Sequence, residues 1–88
     1  MQVYVTPRAE RNFASIIDYI KQKWGEKTVK EFIQKVDEIF KLLKDYPQMG
    51  QVEENDIRGF QLSRQTRILY RIRDNKIIYI YIFKIYHP

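Results

Sequence analysis

The sequence predicts an α+β domain in which a helical hairpin packs on one face of a mostly antiparallel, twisted sheet. The predicted order of elements is β-α-α-β-β-β. Two observations predict it: residues 7–45 carry two apolar stripes at helical spacing, whereas residues 60–87 alternate like strands and are rich in Ile and Tyr. Because the chain has only 88 residues, we expect one domain that spans residues 1–88.

The first half opens with a strand and a capped helix. Residues 2–6 read QVYVT, which alternates and favours a strand. Thr6 is placed to cap a helix whose first position is Pro7, where the missing N–H costs nothing. Gly25 is placed to end this helix. Its apolar stripe consists of Ala9, Phe13, Ile16, Ile17, Ile20 and Trp24.

A second helix follows at once and should fold back on the first. Pro47 cannot easily continue it, so we expect the helix to end before that residue. The stripe of this helix consists of Val29, Phe32, Ile33, Val36, Ile39, Phe40 and Leu43. Between the helical hairpin and the sheet we expect a core that includes Phe13, Ile17, Phe32, Val36, Tyr70 and Tyr81.

The second half is predicted to be a polar connection at residues 51–59 and then three strands. Asp74 and Asn75 are good turn residues between the last two strands. If this turn is the centre of a hairpin, paired residue numbers sum to 149, and Arg67 lies opposite Ile82.

Alternation along that hairpin assigns two faces. The face expected to receive the helices carries Ile68, Tyr70, Ile72, Ile77, Tyr79, Tyr81, Phe83 and Ile85. The opposite face carries Arg67, Leu69, Arg71, Arg73, Ile78, Ile80, Ile82, Lys84 and Tyr86. No further helix remains to cover the three isoleucines of the second face. An apolar ridge with a basic rim more often marks a binding surface than a solvated sheet face.

Composition limits the classes of function. Sixteen Lys and Arg against eleven Asp and Glu give a net charge of +5, which favours an anionic partner. The absence of cysteine excludes disulfides and thiolate zinc sites, and we expect neither a metal nor a cofactor. No signal peptide and no membrane span are predicted, so a cytoplasmic location is expected.

Three segments of the sequence resemble the RelE/ParE superfamily, the toxins of type II toxin–antitoxin pairs. They are VTPRAERNFASIIDYI at the first helix, LLKDYPQMGQ at the end of the second, and TRILYRIRDNKIIYIYIF in the last hairpin. The resemblance implies the predicted fold, a role of the plasmid-stabilisation type, growth arrest as the cellular outcome and a cognate antitoxin as partner. We expect that antitoxin to cover Ile78, Ile80 and Ile82. Without it, a homodimer of the chain is left open.

The superfamily contains two mechanisms, and the residues decide between them only in part. RelE-like members cut mRNA at the ribosome. The resemblance implies that Arg67 corresponds to the arginine with which these members bind the phosphate. RNA cleavage also needs a base and an acid. Tyr86 and His87 are the candidate acids, and Glu53 or Glu54 is a candidate base. Arg58, Arg64, Arg71 and Lys84 are the candidate nucleic-acid-binding residues.

The alternative is a ParE-like poison of DNA gyrase without nuclease chemistry. ParE-like members keep the strand arginine too, and the lysine pair and terminal arginine of RelE-like nucleases are missing here. A third class is an inactive toxin fold that only binds its partner or operator DNA. From the residues we favour ribosome-dependent mRNA cleavage by an mRNA interferase, with gyrase poisoning as the alternative.

Overall fold

The computed structural model describes the chain from residue 1 to residue 84, and the side chains as far as Phe83. Two helices and five strands follow one another in this part of the chain. They are β1 (Gln2–Val5), α1 (Pro7–Trp24), α2 (Glu26–Asp45), β2 (Gln51–Glu54), β3 (Ile57–Gln61), β4 (Thr66–Arg73) and β5 (Lys76–Lys84), with one 3₁₀ turn at Pro47–Met49. Neither described helix is long and apolar enough to cross a membrane.

The strands form a single sheet in the order β1-β5-β4-β3-β2. Strand β1 lies parallel to β5, and all other neighbours are antiparallel. Both helices pack on one face of this sheet, where the hydrophobic core lies. The predicted α+β class, with its helical hairpin on a mostly antiparallel sheet, is confirmed.

One strand was missed by the sequence prediction. Residues 51–59 were expected to be a polar connection, but they contain β2 and the start of β3. Asn55 allows the tight turn between them, since it adopts a φ of 52°. The four residues of β2 are exposed because this strand is the edge of the sheet. An edge strand without a buried face carries no apolar alternation, so the pattern could not reveal it.

The helices begin and end where the sequence predicts. The Thr6 hydroxyl accepts a hydrogen bond of 3.1 Å from the Ala9 N–H, and Pro7 occupies the first turn of α1. Gly25 separates the helices with a φ of 89°, a conformation that side chains with a Cβ rarely adopt. Helix α2 ends at Asp45, two residues before Pro47.

The core lies between the helices and the middle of the sheet. Its largest fully buried side chains are Tyr70, Tyr79, Leu43, Leu62, Ile68 and Ile77. The Phe40 ring stacks on Tyr79 with 3.9 Å between centroids, and the Phe13 and Phe32 rings stack at 5.9 Å. Of the six predicted core residues, Val36 and Tyr70 are buried, and Phe13 and Phe32 are half-buried against the core. Ile17 is half-buried outside this cluster.

A β-bulge in β5 changes the predicted faces. Pairs sum to 149 from Arg73↔Lys76 to Tyr70↔Tyr79, but the register then shifts, so that Leu69 pairs with Tyr81. Ile80 is the extra residue, and the side chains of Tyr81, Ile82 and Phe83 therefore lie on the face opposite to the predicted one. Ile82 is consequently a core residue with 3% of its surface exposed.

The prediction was wrong for three side chains beyond the bulge. Tyr81 and Phe83 lie with Leu69 and Arg67 on the face away from the helices, and Ile82 lies in the core. Arg67 accordingly pairs with Phe83 and not with Ile82. The guanidinium of Arg8 covers the Tyr81 ring at 4.4 Å from its centroid, which is a favourable cation–π geometry.

Helix α1 supports the bulged strand at the point where β1 has ended. The Thr6 hydroxyl donates to the Ile80 carbonyl at 3.1 Å, and the Asn12 side-chain oxygen accepts from the Ile82 N–H at 3.2 Å. Backbone groups on the edge of β5 are thus bonded by side chains of the helix and its cap. This satisfies polar groups that would otherwise be costly to bury.

Two buried tyrosines differ in what their hydroxyls contact. Tyr70 donates to the Pro47 carbonyl at 2.7 Å and accepts from the Gly50 N–H at 2.9 Å. The hydroxyl of Tyr79 is buried and has no hydrogen-bond partner among the described residues. Burial raises the pKa of Tyr79 far above its usual value, and the neighbouring Tyr70 adds to this shift.

We therefore predict opposite outcomes for the two Tyr→Phe variants. Tyr70→Phe should lower the free energy of unfolding by about 1–3 kcal/mol, because it leaves buried backbone groups without their partner. Tyr79→Phe should be neutral or stabilising, since its hydroxyl was unpaired. Urea unfolding of both variants measures the difference. Equal losses in the two variants would contradict these hydrogen-bond assignments.

Candidate functional site

The predicted row of arginines lies on the sheet surface opposite the helices, which we call the open face. Arg67, Arg71 and Arg73 alternate along β4 and all point to this surface. Each is ion-paired with a carboxylate of the β2–β3 hairpin. Arg67 contacts Glu53, whereas Arg71 and Arg73 share Asp56, at 3.1 and 2.9 Å.

Gly59 makes room for the pair between Arg67 and Glu53. A Cβ atom at this position would lie 2.6 Å from Nη2 and 2.9 Å from Nε of Arg67, and it would also collide with Oε1 of Glu53. Because Gly59 pairs with Leu69 in the sheet, it belongs to the open face. The guanidinium and the carboxylate therefore meet directly above the backbone of β3.

Half-buried apolar side chains share the open face with these ion pairs. Leu69, Ile78, Tyr81 and Phe83 belong to the open face, and the rings of Tyr81 and Phe83 are 5.5 Å apart. The predicted apolar ridge therefore has a different composition. Ile78 remains part of it, Ile80 is the half-buried extra residue of the bulge, and Ile82 is excluded because it is buried in the core.

Arg58, predicted to bind nucleic acid, is engaged elsewhere. It pairs with Tyr70, whose side chain lies in the core, so it belongs to the face opposite to that of Arg67. Its Nη1 donates to the carbonyls of Gln48 at 3.1 Å and Gly50 at 2.9 Å. With the Tyr70 hydroxyl, it fixes the turn that follows α2. Arg58 therefore does not lie with the arginines of the open face, and its role in binding nucleic acid stays a prediction.

The remaining predicted site residues are placed only in part. Arg64 is exposed in the turn between β3 and β4. The backbone of Lys84 pairs with Thr66, and its side chain lies outside the described part of the chain. Tyr86 and His87 also lie outside the described residues, so their predicted roles as acids stay predictions.

The sequence reasoning missed the partners of the arginines. Glu53 and Glu54 had been noted only as possible bases in a connection, and Asp56 and Gly59 were not selected. The available signal was the acidic cluster EEND at residues 53–56 immediately before the basic strands. Reading that cluster as part of a hairpin next to β4 would have brought its carboxylates near the arginines of β4, Glu53 across β3 and Asp56 from the turn.

Electrostatic contacts lower the pKa of the Asp56 carboxyl. Desolvation raises its pKa, but the hydrogen bond from Arg73 and the charges of Arg71 and Arg73 together outweigh that effect. Among residues 1–84, no group of three or more His, Cys, Asp or Glu side chains could hold a metal ion. The open face is thus organised by ion pairs between side chains.

A helical hairpin on one face of a mostly antiparallel sheet is the architecture that the resemblance to RelE/ParE toxins implies. A family model described as the ParE toxin of the type II toxin–antitoxin system parDE matches residues 3–87. The chain belongs to this family of toxins. A comparison with curated protein sequences finds no significant match.

Solved structures share the fold at low sequence identity. The chromosomal ParDE toxin–antitoxin system from P. aeruginosa matches with a TM-score of 0.83 and 20% identity, over 98% of this chain and 97% of that one. A YoeB/ParE toxin from Agrobacterium tumefaciens matches with a TM-score of 0.72 and 12% identity, over 98% of this chain and 100% of that one. The YoeB dimer from Staphylococcus aureus matches with a TM-score of 0.66 and 16% identity, over 99% of this chain and 98% of that one.

We predict a measurable coupling between Arg67 and Glu53 that depends on Gly59. A double-mutant cycle of Arg67→Ala and Glu53→Ala should give a coupling of about 1 kcal/mol in the free energy of unfolding, since both side chains are partly exposed. The same cycle in a Gly59→Ala background should give almost none, because the added methyl separates the two groups. A coupling that survives Gly59→Ala would contradict this geometry.

We also predict that Asp56 contributes to stability only above acidic pH. Its pKa is lower in the folded than in the unfolded chain, so its contribution is present above the unfolded value of about 3.9 and is lost as the pH falls through the folded value. Asp56→Asn should therefore have a lower free energy of unfolding than the native sequence at pH 7. Below about pH 4 its free energy of unfolding should fall less steeply with decreasing pH than that of the native sequence. Chemical unfolding across pH tests this, with Asp74→Asn as the matched control.

Proposed function

We propose that the chain is the toxin partner of a cognate antitoxin and acts as a ParE-like poison of DNA gyrase without nuclease chemistry. The family membership supports the first part. Among its structural relatives, the P. aeruginosa structure is described as a ParDE toxin–antitoxin system and another as a YoeB–YefM complex from Staphylococcus aureus. The choice of gyrase over mRNA rests on the charge of the open face.

The single observation that carries this choice is that the arginines of β4 are already paired. Three guanidinium groups share two carboxylates, those of Glu53 and Asp56. A phosphate that approached the Nη2 group of Arg67 would compete with Glu53 for it. Sequence-independent RNA binding depends on free cationic side chains that release counterions. A largely compensated surface supports a protein target better than a nucleic acid.

The apolar part of the open face favours the same choice. Leu69, Tyr81 and Phe83 belong to the same face as the ion pairs, and they are half-buried and not fully covered. Aromatic and aliphatic side chains next to arginines are typical of protein interfaces, in which the charged groups fix the register. We infer that this surface contacts a protein partner.

A second candidate, mRNA cleavage at the ribosome, is favoured by the position of Glu53. A carboxylate beside an arginine supplies a base and a cation for RNA cleavage. Glu53 would take the proton of the 2′-hydroxyl, and the 2′-oxygen would attack phosphorus. The bond to the 5′-oxygen would break and leave a cyclic 2′,3′-phosphate, while an acid, for which Tyr86 or His87 stands as a prediction, would protonate the departing oxygen.

The deciding experiment is induction of the chain alone, followed by parallel readouts of DNA damage and mRNA ends. We expect SOS induction, linearised plasmid and gyrase-dependent loss of supercoiling, with mRNA 5′ ends unchanged. Glu53→Gln should retain this activity at least in part, because the gyrase proposal assigns no proton transfer to Glu53. New 5′ ends within codons that disappear in Glu53→Gln and Arg67→Ala would instead establish the nuclease. Normal growth with neither readout would refute both activities.

A further inference from the structure

The two edges of the sheet are protected very differently. Strand β2, at one edge, carries Glu53 and Glu54 and an irregular register between Val52 and Glu54. Charges and bulges of this kind prevent further strands from adding to an edge. Strand β1, at the other edge, reads QVYV, has no charge and pairs with β5 in an unbroken register. It carries none of these protections.

The free backbone groups of β1 can be assigned from its bonds to β5. The N–H of Gln2 donates to the Asn75 carbonyl at 3.2 Å, and the N–H of Thr6 donates to the Tyr79 carbonyl at 3.0 Å. Because backbone groups alternate in direction along a strand, Val3 and Val5 direct their N–H and C=O groups outward. No other described strand lies on that side of β1.

Side chains at this edge are also unusually exposed. Val3 is 42% exposed and Tyr4 is 52% exposed. Tyr4 pairs with Ile78 and so belongs to the open face, whereas Val3 lies on the helix side. A groove of about 310 Å³ runs along the edge and is lined by Gln2, Val3, Tyr4, Lys76 and Ile78. Both backbone and side chains are therefore available for one more strand.

We propose that a second copy of this chain pairs with β1 in antiparallel fashion, with the two-fold axis at Tyr4. With a two-fold axis perpendicular to the sheet, two residues that pair across the interface lie on the same face of the joined sheet. Because side chains alternate between faces along a strand, the numbers of two paired residues are then both even or both odd. With Tyr4 on the axis, Val3 exchanges both backbone hydrogen bonds with Val5 of the second copy. Tyr4 then meets its equivalent as a non-hydrogen-bonded pair, in which side chains are closest.

The properties of β1 favour a second copy over an acidic partner. The four residues of β1 carry no charge for an acidic partner to recognise, and valine against valine and tyrosine against tyrosine are well-suited pairs. The two five-stranded sheets would join into one of ten strands. Since each copy has a net charge of +5, their association should become stronger as salt screens the repulsion. The inference is independent of which target the toxin acts on.

Single-cysteine crosslinking tests the predicted pairing, because the chain has no cysteine of its own. In a non-hydrogen-bonded pair the Cα atoms are about 4.5 Å apart, which is within the range of disulfides. Tyr4→Cys should therefore form a disulfide-linked dimer on mild oxidation. Val52→Cys is the matched control, since Val52 is 54% exposed on the protected edge. It should form no disulfide-linked dimer.

The mass in solution provides a second test that does not depend on oxidation. The mass of the purified chain should rise from 10.8 kDa towards twice that value with increasing protein concentration, and more so at higher salt. Tyr4→Lys should abolish the rise, since it places like charges opposite each other, whereas Val52→Lys should not. Circular dichroism checks that both variants are folded. A monomer at every concentration, or crosslinking of Val52→Cys as readily as Tyr4→Cys, would refute the proposal.

Discussion

The β-bulge at Ile80 determines how the rest of the molecule is arranged. It lies where β5 passes the end of β1, and α1 bonds the strand there through Thr6 and Asn12. Without the extra residue, Ile82 would leave the core, and Phe83 would be placed under the helices. With it, the same strand contributes Tyr79 and Ile82 to the core and aromatic side chains to the open face. One inserted residue thus links the packing of α1 to the composition of the opposite surface.

The bulge also explains the neighbourhood of the arginines. Arg67 pairs with Phe83 in the shifted register, and Glu53 reaches Arg67 across Gly59. The open face therefore combines aromatic side chains with guanidinium groups whose charge is largely compensated inside the chain. This supports our proposal that the toxin acts on a protein. The net charge of +5, taken alone, had indicated an anionic partner.

Most of the fold could be predicted because its signals are local. Thr6, Pro7 and Gly25 define the helix ends by their own conformational preferences, and the apolar stripes define the buried side of each helix. The bulge could not be predicted, because KIIYIYIFK is apolar on both faces and alternation looks equally good in either register. Glu53 and Asp56 were missed for a related reason, since their role depends on an edge strand that has no apolar pattern.

The central claim, that the open-face arginines are not available to nucleic acid, can be tested by the salt dependence of RNA binding. The affinity of the chain for single-stranded RNA should be measured against salt concentration, for the native sequence and for Arg67→Ala. Each phosphate contact contributes about 0.7 to the slope of the logarithm of affinity against the logarithm of salt concentration. We expect weak binding with the same slope for both proteins. A slope that becomes shallower by about 0.7 in Arg67→Ala would show that Arg67 contacts a phosphate and would contradict this claim.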